Sequence, residues 1–427
     1  MKKLLTSAGL VALGISSIQA AYAPALSQME TAKPWSLSAA LRGFYDDNYT
    51  TSVNGVKRDS FGFEVSPSAS LNLPLDQTFI GLSYEYSLRY YEDRRDNKYD
   101  QSHKFEGRLD HAFSERYKLE LSDSFVIAQE PEVIAPAGGG AAAFPLRTDG
   151  DNIRNLGSIN FGAQLTELFK LELGYANTFY DYQQDVGDVA PGVPSRSGLL
   201  DRIEHLASVN FRWQIVPETD AIVGYQFGVV DFTSDEAIGI DPTTGNPISS
   251  DIRNSRSHYL FGGVDHRFND QLNGSIRLGA QYADYYKQDH TTISPYADAS
   301  LTYKYNQGSY VQAGVTHSRT RTDVATVSSS GSVTVDQETT AVYASVNHRI
   351  TPNLIGSLLL QGQRGTFEGG SANSDVEYFF LGGLNLAYTI NPHLLAEAGY
   401  NFDYLTSDQP GREYTRNRVY IGIRATY

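Results

Sequence analysis

The chain has 427 residues, 41% hydrophobic and 19% charged, and after its first twenty residues no apolar run approaches the length of a membrane-spanning helix, which excludes helical spans. It contains no cysteine, which excludes a disulfide framework, a thiolate metal site, a cysteine nucleophile and a lipid-modified N-terminal cysteine. Thirty-four Lys and Arg against 49 Asp and Glu leave a formal net charge of −15, which argues against nucleic acid as a partner. Abundant Tyr (29), Phe (20) and Gly (38), with only two Trp, fit an all-β protein with aromatic belts better than a soluble enzyme.

The first element is an address. Lys2 and Lys3 precede an apolar stretch from Leu4 to Ile18 and the small-residue end Gln19-Ala20-Ala21-Tyr22-Ala23. This order predicts a signal peptide over 1–20, cleaved after Ala20, in a bacterial envelope protein. Cleavage after Ala23 is disfavoured by Pro24, and cleavage after Ser27 is an alternative. A short periplasmic segment, 21–35, then leads into one domain over 36–427. No plug domain precedes the first strand, which disfavours an energy-coupled transporter.

From there the chain reads with period two, the spacing at which strand side chains share a face. Phe61, Phe63, Val65, Ala69, Leu71 and Leu73 alternate with Ser60, Gly62, Glu64, Ser66, Ser68 and Ser70. Ile80, Leu82, Tyr84, Tyr86, Leu88 and Tyr90 alternate with Gly81, Ser83, Glu85, Ser87 and Arg89. The pattern recurs at 272–286, 298–305, 340–350, 377–390, 394–404 and 418–427. Runs of about 12 to 16 residues exceed an ordinary strand of five or six and suit a tilted strand crossing a bilayer with overhang. One face is apolar and topped by Tyr and Phe, as lipid contact requires; the other is small and polar with charges of both signs.

Short turn sequences, such as Pro74-Leu75-Asp76-Gln77, Asn269-Asp270-Gln271 and Asn391-Pro392-His393, alternate with longer connections at 129–150, 185–198, 234–251 and 322–337. Short turns on one side and long loops on the other predict an outer-membrane barrel with both termini on the short-turn side. Strand starts near 36, 57, 78, 101, 117, 151, 170, 201, 220, 252, 272, 292, 309, 337, 354, 375, 394 and 413 predict a closed antiparallel barrel of eighteen strands. Sixteen is the alternative count, and a propeller the alternative architecture. Closure is required because open edges cannot face hydrocarbon, and a barrel of this size encloses water.

The hairpin "DHRFNDQLNGSIRLGAQY" and the C-terminus "RVYIGIRATY", with the signal peptide, resemble outer-membrane β-barrel porins, in particular the group called putative beta-barrel porin type 2. The resemblance spans nearly the whole mature chain. It implies passive passage of small solutes and insertion by the barrel-assembly machinery. Gly422, Ile423, Ala425 and the aromatic Tyr427, with Ile421, look like that machinery's recognition strand; such strands often end in Phe, and this one ends in Tyr.

With apolar faces outward, the pore-lining charges are Arg42, Glu64, Glu85, Arg89, Lys104, Glu106, Arg108, Arg154, Glu172, Glu204, Arg212, Arg277, Glu397, Asp403, Arg418 and Arg424. Because first and last strands adjoin in a closed ring, Arg42, Arg418 and Arg424 are expected to form a basic wall near Glu64, Glu85 and Glu106. Such charges orient polar solutes or pair with one another to keep the lumen wet. The loop containing "VIAPAGGGAAAFPL" either folds inward, packs on a neighbouring subunit or stays a flexible external loop. Acidic positions Asp185, Asp188, Asp235, Glu236, Asp241, Asp251, Asp323, Asp336 and Glu338 read as a solvated rim; Ca²⁺ or Mg²⁺ bridging is the sharper alternative.

Asp289-His290, with His258 and His103, is the nearest candidate for a rim hydrolase, but no nucleophile motif accompanies it. His111, His266 and His348 recur beside short turns and read as interfacial hydrogen bonders. The sequence therefore predicts a non-enzymatic diffusion channel for small hydrophilic solutes, with no cofactor or metal, in contact with outer-membrane lipid and lipopolysaccharide, and leaves a homo-oligomer open. A solute-specific channel, for which Phe44, Tyr285, Tyr296 and Tyr420 would be aromatic lining, and a plugged structural barrel are the rivals.

Overall fold

A computed structural model describes residues 33–95, 97–129 and 150–427. The signal peptide, its cleavage site and nearly all of loop 129–150 lie outside the described residues.

Eighteen long strands form the wall: β1 (Trp35–Asp46), β2 (Ser60–Pro74), β3 (Thr78–Tyr91), β4 (Tyr99–Ala112), β5 (Tyr117–Ala128), β6 (Asn152–Gln164), β7 (Phe169–Tyr182), β8 (Arg202–Val216), β9 (Thr219–Phe232), and then β12 (Ser255–Arg267), β13 (Leu272–Tyr285), β14 (His290–Asn306), β15 (Ser309–Thr320), β16 (Asp336–Thr351), β17 (Leu354–Glu368), β18 (Val376–Asn391), β19 (Leu394–Ser407) and β20 (Tyr414–Thr426). Each pairs antiparallel with its chain neighbour, β9 pairs directly with β12, and β1 pairs with β20 from Ser38↔Thr426 to Asp46↔Arg418, so the sheet closes on itself. All eighteen predicted starts fall within three residues of the observed ones. Periodicity did not reveal a small hairpin, β10 (Ala237–Ile240) with β11 (Pro247–Ser249), or the five-residue helix α1 (Arg196–Leu200), both in long loops.

Alternation fixes which face is which. Along β1, Leu37 and Leu41 are half exposed while Ser36, Ala40, Phe44 and Asp46 are buried. The outward Ile421 and Ile293 are 72% and 74% exposed, whereas the inward Arg416 and Gln281 are 2% and 0%. Apolar exposure on this scale is stable only against hydrocarbon, and every wall strand except β15 exposes at least one large apolar side chain. Tight packing of neighbouring strands adds a constraint on side-chain size. At Gly279 a Cβ would lie 2.0 Å from the Leu260 carbonyl oxygen and 2.6 Å from the Phe261 Cα. The two-residue turn Gln307-Gly308 closes β14 onto β15 with Gly308 at φ 71°, a conformation glycine adopts without strain.

Eight of the nine histidines form two collars on the outward face. Near the long-loop end, Nδ1 of His103, His205 and His258 lies 2.9, 2.7 and 2.7 Å from the hydroxyls of Tyr84, Tyr175 and Tyr225, and His317 meets Thr340 at 2.8 Å. Near the short-turn end, His111 meets Thr78 and His266 meets Thr219, both at 2.8 Å, and His348 meets Tyr305 at 2.7 Å. His393 lies 3.0 Å from the Thr426 carbonyl oxygen and stacks on Tyr427. Amphipathic rings with one wet edge suit the two bilayer interfaces.

Candidate functional site

The predicted pore-lining charges occupy the inward parity of their strands, and the ring brings most of them into ion pairs. Arg42 lies 2.6 Å from Glu64 and 2.5 Å from Glu397, and Arg89 completes the group at 3.0 Å from Glu64. Arg212 is held by Glu172 at 3.0 Å and Asp265 at 2.6 Å, and Arg277 lies 2.7 Å from the same Asp265. Lys104 pairs with Glu106, Arg108 with Asp110, and Arg202 with Glu204. Arg418 joins Arg416, a residue that periodicity had not singled out, on the fully buried Asp46 at 2.8 and 2.6 Å. Glu85 and Arg424 have no ion-pair partner within 4.0 Å among the described residues. The anticipated basic wall is therefore a mixed one: Glu397, Glu64 and Asp46 stand among Arg42, Arg418 and Arg424. These carboxylates share the inward parity of β1, β2 and β19, and staggered strands bring opposite charges together where isolated like charges would repel.

The suggested aromatic lining is two separate groups. Phe44 and Tyr420 pack with Tyr49 and Tyr91, while Tyr296 packs with Tyr259 and Phe261. Tyr285 instead donates its hydroxyl to Asp336, the same carboxylate that Arg319 grips through two bonds of 2.9 and 2.6 Å.

The least legible part lies at the outer mouth. The 321–335 loop leaves β15 and leans across the lumen. Arg253, buried just before β12, donates to the carbonyl oxygens of Thr322, at 3.1 Å, and Leu199. It sits over the Phe232 ring at 4.1 Å and has no carboxylate within ion-pair distance among the described residues. Burial and the nearby Arg202 push its guanidinium down to about 9, so it remains charged at neutral pH. From the other side Arg412, just before β20, donates to both Asp323 oxygens at 3.0 and 2.9 Å and to Glu377 at 2.7 Å. Burial opposes its charge, but Asp323 and Glu377 outweigh that and hold the guanidinium above its ordinary range. β12 and β20 are eight strands apart in a ring of eighteen, so Thr322 and Asp323 are tied to nearly opposite arcs of the mouth. Further bonds fasten the strap at its return: Thr334 to the Gly369 carbonyl at 3.1 Å and the Ala372 amide to Thr326 at 2.9 Å. The sequence showed Asp323 as a rim acid, but its partner lies 89 residues away in another loop.

Three of the remaining rim acids are engaged by the chain itself. Asp251 takes Lys287, Glu236 accepts from the Val186 amide and the Ser195 hydroxyl, and Asp241 accepts from the Thr243 amide and the Thr244 hydroxyl. Among the described residues no three carboxylate or imidazole groups converge in a metal-binding arrangement. Nor do the histidines suggested for a rim hydrolase meet: His290 stacks on Tyr285 with Glu368 at 3.4 Å, whereas His103 and His258 are in the outward collar.

Residues 251–427 match the family model described as Putative beta-barrel porin 2. No curated protein matches the chain. Among solved structures it is similar to OccAB4 of Acinetobacter baumannii, at 11% identity and a TM-score of 0.44, with 92% of this chain and 99% of that one covered. It is similar to OpdK of Pseudomonas aeruginosa, crystallised with vanillate, at 12% identity and a TM-score of 0.45 over the same shares. OpdO of Pseudomonas aeruginosa stands at 11% and 0.45, with 92% and 97% covered.

Proposed function

We propose that this protein is an integral outer-membrane porin that lets small hydrophilic solutes diffuse through its lumen. The observation that carries the reading is one closed eighteen-stranded wall, apolar outside and lined inside by polar and charged side chains. Hydrocarbon tolerates such a sheet only when closed, and a barrel of this width encloses water. The match of residues 251–427 to a porin family model supports the same reading.

Arg42, Glu64, Glu85, Arg89, Glu106, Arg108, Arg154, Arg212, Arg277, Arg418 and Arg424 are the charges a solute meets. Because most stand in local pairs, the channel discriminates weakly by charge, and the strap over the mouth discriminates by size. Gly422, Ile423, Ala425 and Tyr427 serve as the assembly signal. The Tyr427 ring lies 5.7 Å from that of Trp35 and its amide donates to the Leu37 carbonyl at 2.8 Å, which is compatible with that role. Outer-leaflet lipopolysaccharide meets the upper collar.

Single-channel conductance of the refolded protein in a planar bilayer tests the reading. Stable nanosiemens-scale steps with a small reversal potential across a salt gradient are expected. Silence from a folded, heat-modifiable barrel would refute it and favour a plugged structural barrel.

A further inference from the structure

Most inward charges answer one another, but Asp298 does not. It stands on the inward face of β14 between Tyr296 and Ser300, while Ile293 and Leu301 of the same strand face outward. Its register partners are Arg277 on β13 and Thr316 on β15. Arg277 is turned away to Asp265 at 2.7 Å. Arg212 is shared by Glu172, Asp220 and Asp265, and Lys170 is held by Glu172. Asp298 is therefore the acid in excess on this arc of the wall. Among the described residues no hydrogen bond reaches its carboxylate and no cation lies within ion-pair distance of it.

Two tyrosine rings flank this carboxylate. Tyr343 on β16 stands opposite Gly314 on β15, and its ring lies back over that glycine toward β14. A Cβ at Gly314 would be 2.5 Å from the ring's Cζ and hydroxyl oxygen and 2.7 Å from the Ala299 carbonyl oxygen. The missing side chain lets the ring lie along the wall instead of projecting across the lumen. On the other side Tyr296, two residues before Asp298 and so on the same face, is held by Tyr259 edge-on at 5.7 Å and by Phe261 at 5.4 Å. Asp298 is the charge that acts first on the hydroxyls of both tyrosines.

We infer that Asp298, Tyr296 and Tyr343 form a binding station for small organic ammonium ions inside the lumen. The unpaired carboxylate supplies the countercharge, and the ring faces attract a cation through their quadrupoles. A small inorganic cation keeps its water and gains little from the rings, and a neutral sugar gains nothing from the surplus charge. The inference rests on the reading of the lumen as a solute path and adds the class of solute that the path retains.

The test uses the whole refolded protein, with tetramethylammonium as the probe and sodium and glucose as comparisons. Saturation-transfer NMR in detergent micelles reads binding without any need for current. Planar-bilayer conductance is then followed against salt concentration. Magnetisation transfer to tetramethylammonium is expected, with conductance that saturates in its chloride and rises almost linearly in sodium chloride. The nearly isosteric Asp298→Asn should weaken binding about tenfold or more. Tyr343→Leu should weaken it about fivefold, whereas Tyr343→Phe keeps the ring and the affinity. Heat-modifiable migration confirms that each variant is folded. No transfer in the natural protein, or binding unchanged by Asp298→Asn, would overturn the inference. Binding lost in Asp298→Asn but untouched by Tyr343→Leu would overturn it too, assigning Asp298 to a hydrated cation. So would stronger transfer to glucose that ignores Asp298→Asn. Binding in micelles without current in bilayers would fail the porin reading and leave this one standing, whereas current without binding fails only this one.

Discussion

Replacing Arg412 with Ala removes one of the strap's ties to the wall. Arg412 supplies three bonds of 3.0 Å or less to two carboxylates, Asp323 on the strap and Glu377 on β18. Removing one partner of a buried charged group costs about 3–5 kcal/mol, chiefly because the remaining charges lose their counterion. The guanidinium is 22% exposed, so the lower end, about 3 kcal/mol, applies. At ~1.4 kcal/mol per factor of ten, the strap's displaced population rises about a hundredfold. Single-channel recordings of Arg412→Ala should show larger mean conductance and noisier open levels than the natural protein, with folding confirmed by heat-modifiability. Adding Asp323→Ala and Glu377→Ala removes the stranded carboxylates and should reduce the noise in part, because the charge penalty is relieved while the tie stays lost. A folded Arg412→Ala barrel with unchanged conductance and noise would refute the argument that the strap limits the pore.

Three further outcomes follow from the geometry. Arg42→Met leaves Glu64 and Glu397 without their shared cation and should move the reversal potential toward cation selectivity, while Glu64→Gln should move it the opposite way. At Asp201, burial and the neighbouring Asp181 and Asp185 push the carboxyl up to about 6 from an ordinary 3.8, against the bonds from Ser197 and the Tyr182 amide. A raised carboxyl penalises the folded loop above its folded value and ceases to do so as pH falls through it. Exchange protection of the Tyr182 and Gly198 amides, corrected for intrinsic rates, should rise from pH 7 to 5 and lose that dependence in Asp201→Asn. Tyr427→Ala should lower the yield of assembled barrel in cells while Tyr427→Phe preserves it; equal yields would remove Tyr427 from the assembly signal.

The wall was legible because a strand between lipid and water must alternate, and that alternation survives in residues such as Leu37, Leu41 and Ile421 without reference to anything distant. Parity also placed Arg42, Arg212 and Arg277 inward. Their partners depend on stagger and closure: Arg42 meets Glu397 only because β19, β20 and β1 become neighbours once the ring closes. The strap was hidden for a related reason. Arg253, Asp323 and Arg412 lie in three separate loops, where no period exists to read, and the β10–β11 hairpin is too short to show one.

The histidine collars have a consequence for where the barrel can live. On β4 and on β12 the upper and lower histidines, His103 and His111, His258 and His266, are eight residues apart. At ~3.4 Å per residue and a tilt of about 40°, that spacing is roughly 20 Å along the membrane normal. The collars act as a ruler: each row of ring nitrogens seeks its own interface, so the protein is matched to a thin hydrocarbon layer and held against vertical drift. A thicker bilayer would drag one collar into the acyl chains or compress lipid around the barrel, at a cost that grows with each ångström of mismatch. The same polar atoms that tie neighbouring strands together thus sort the protein by membrane thickness.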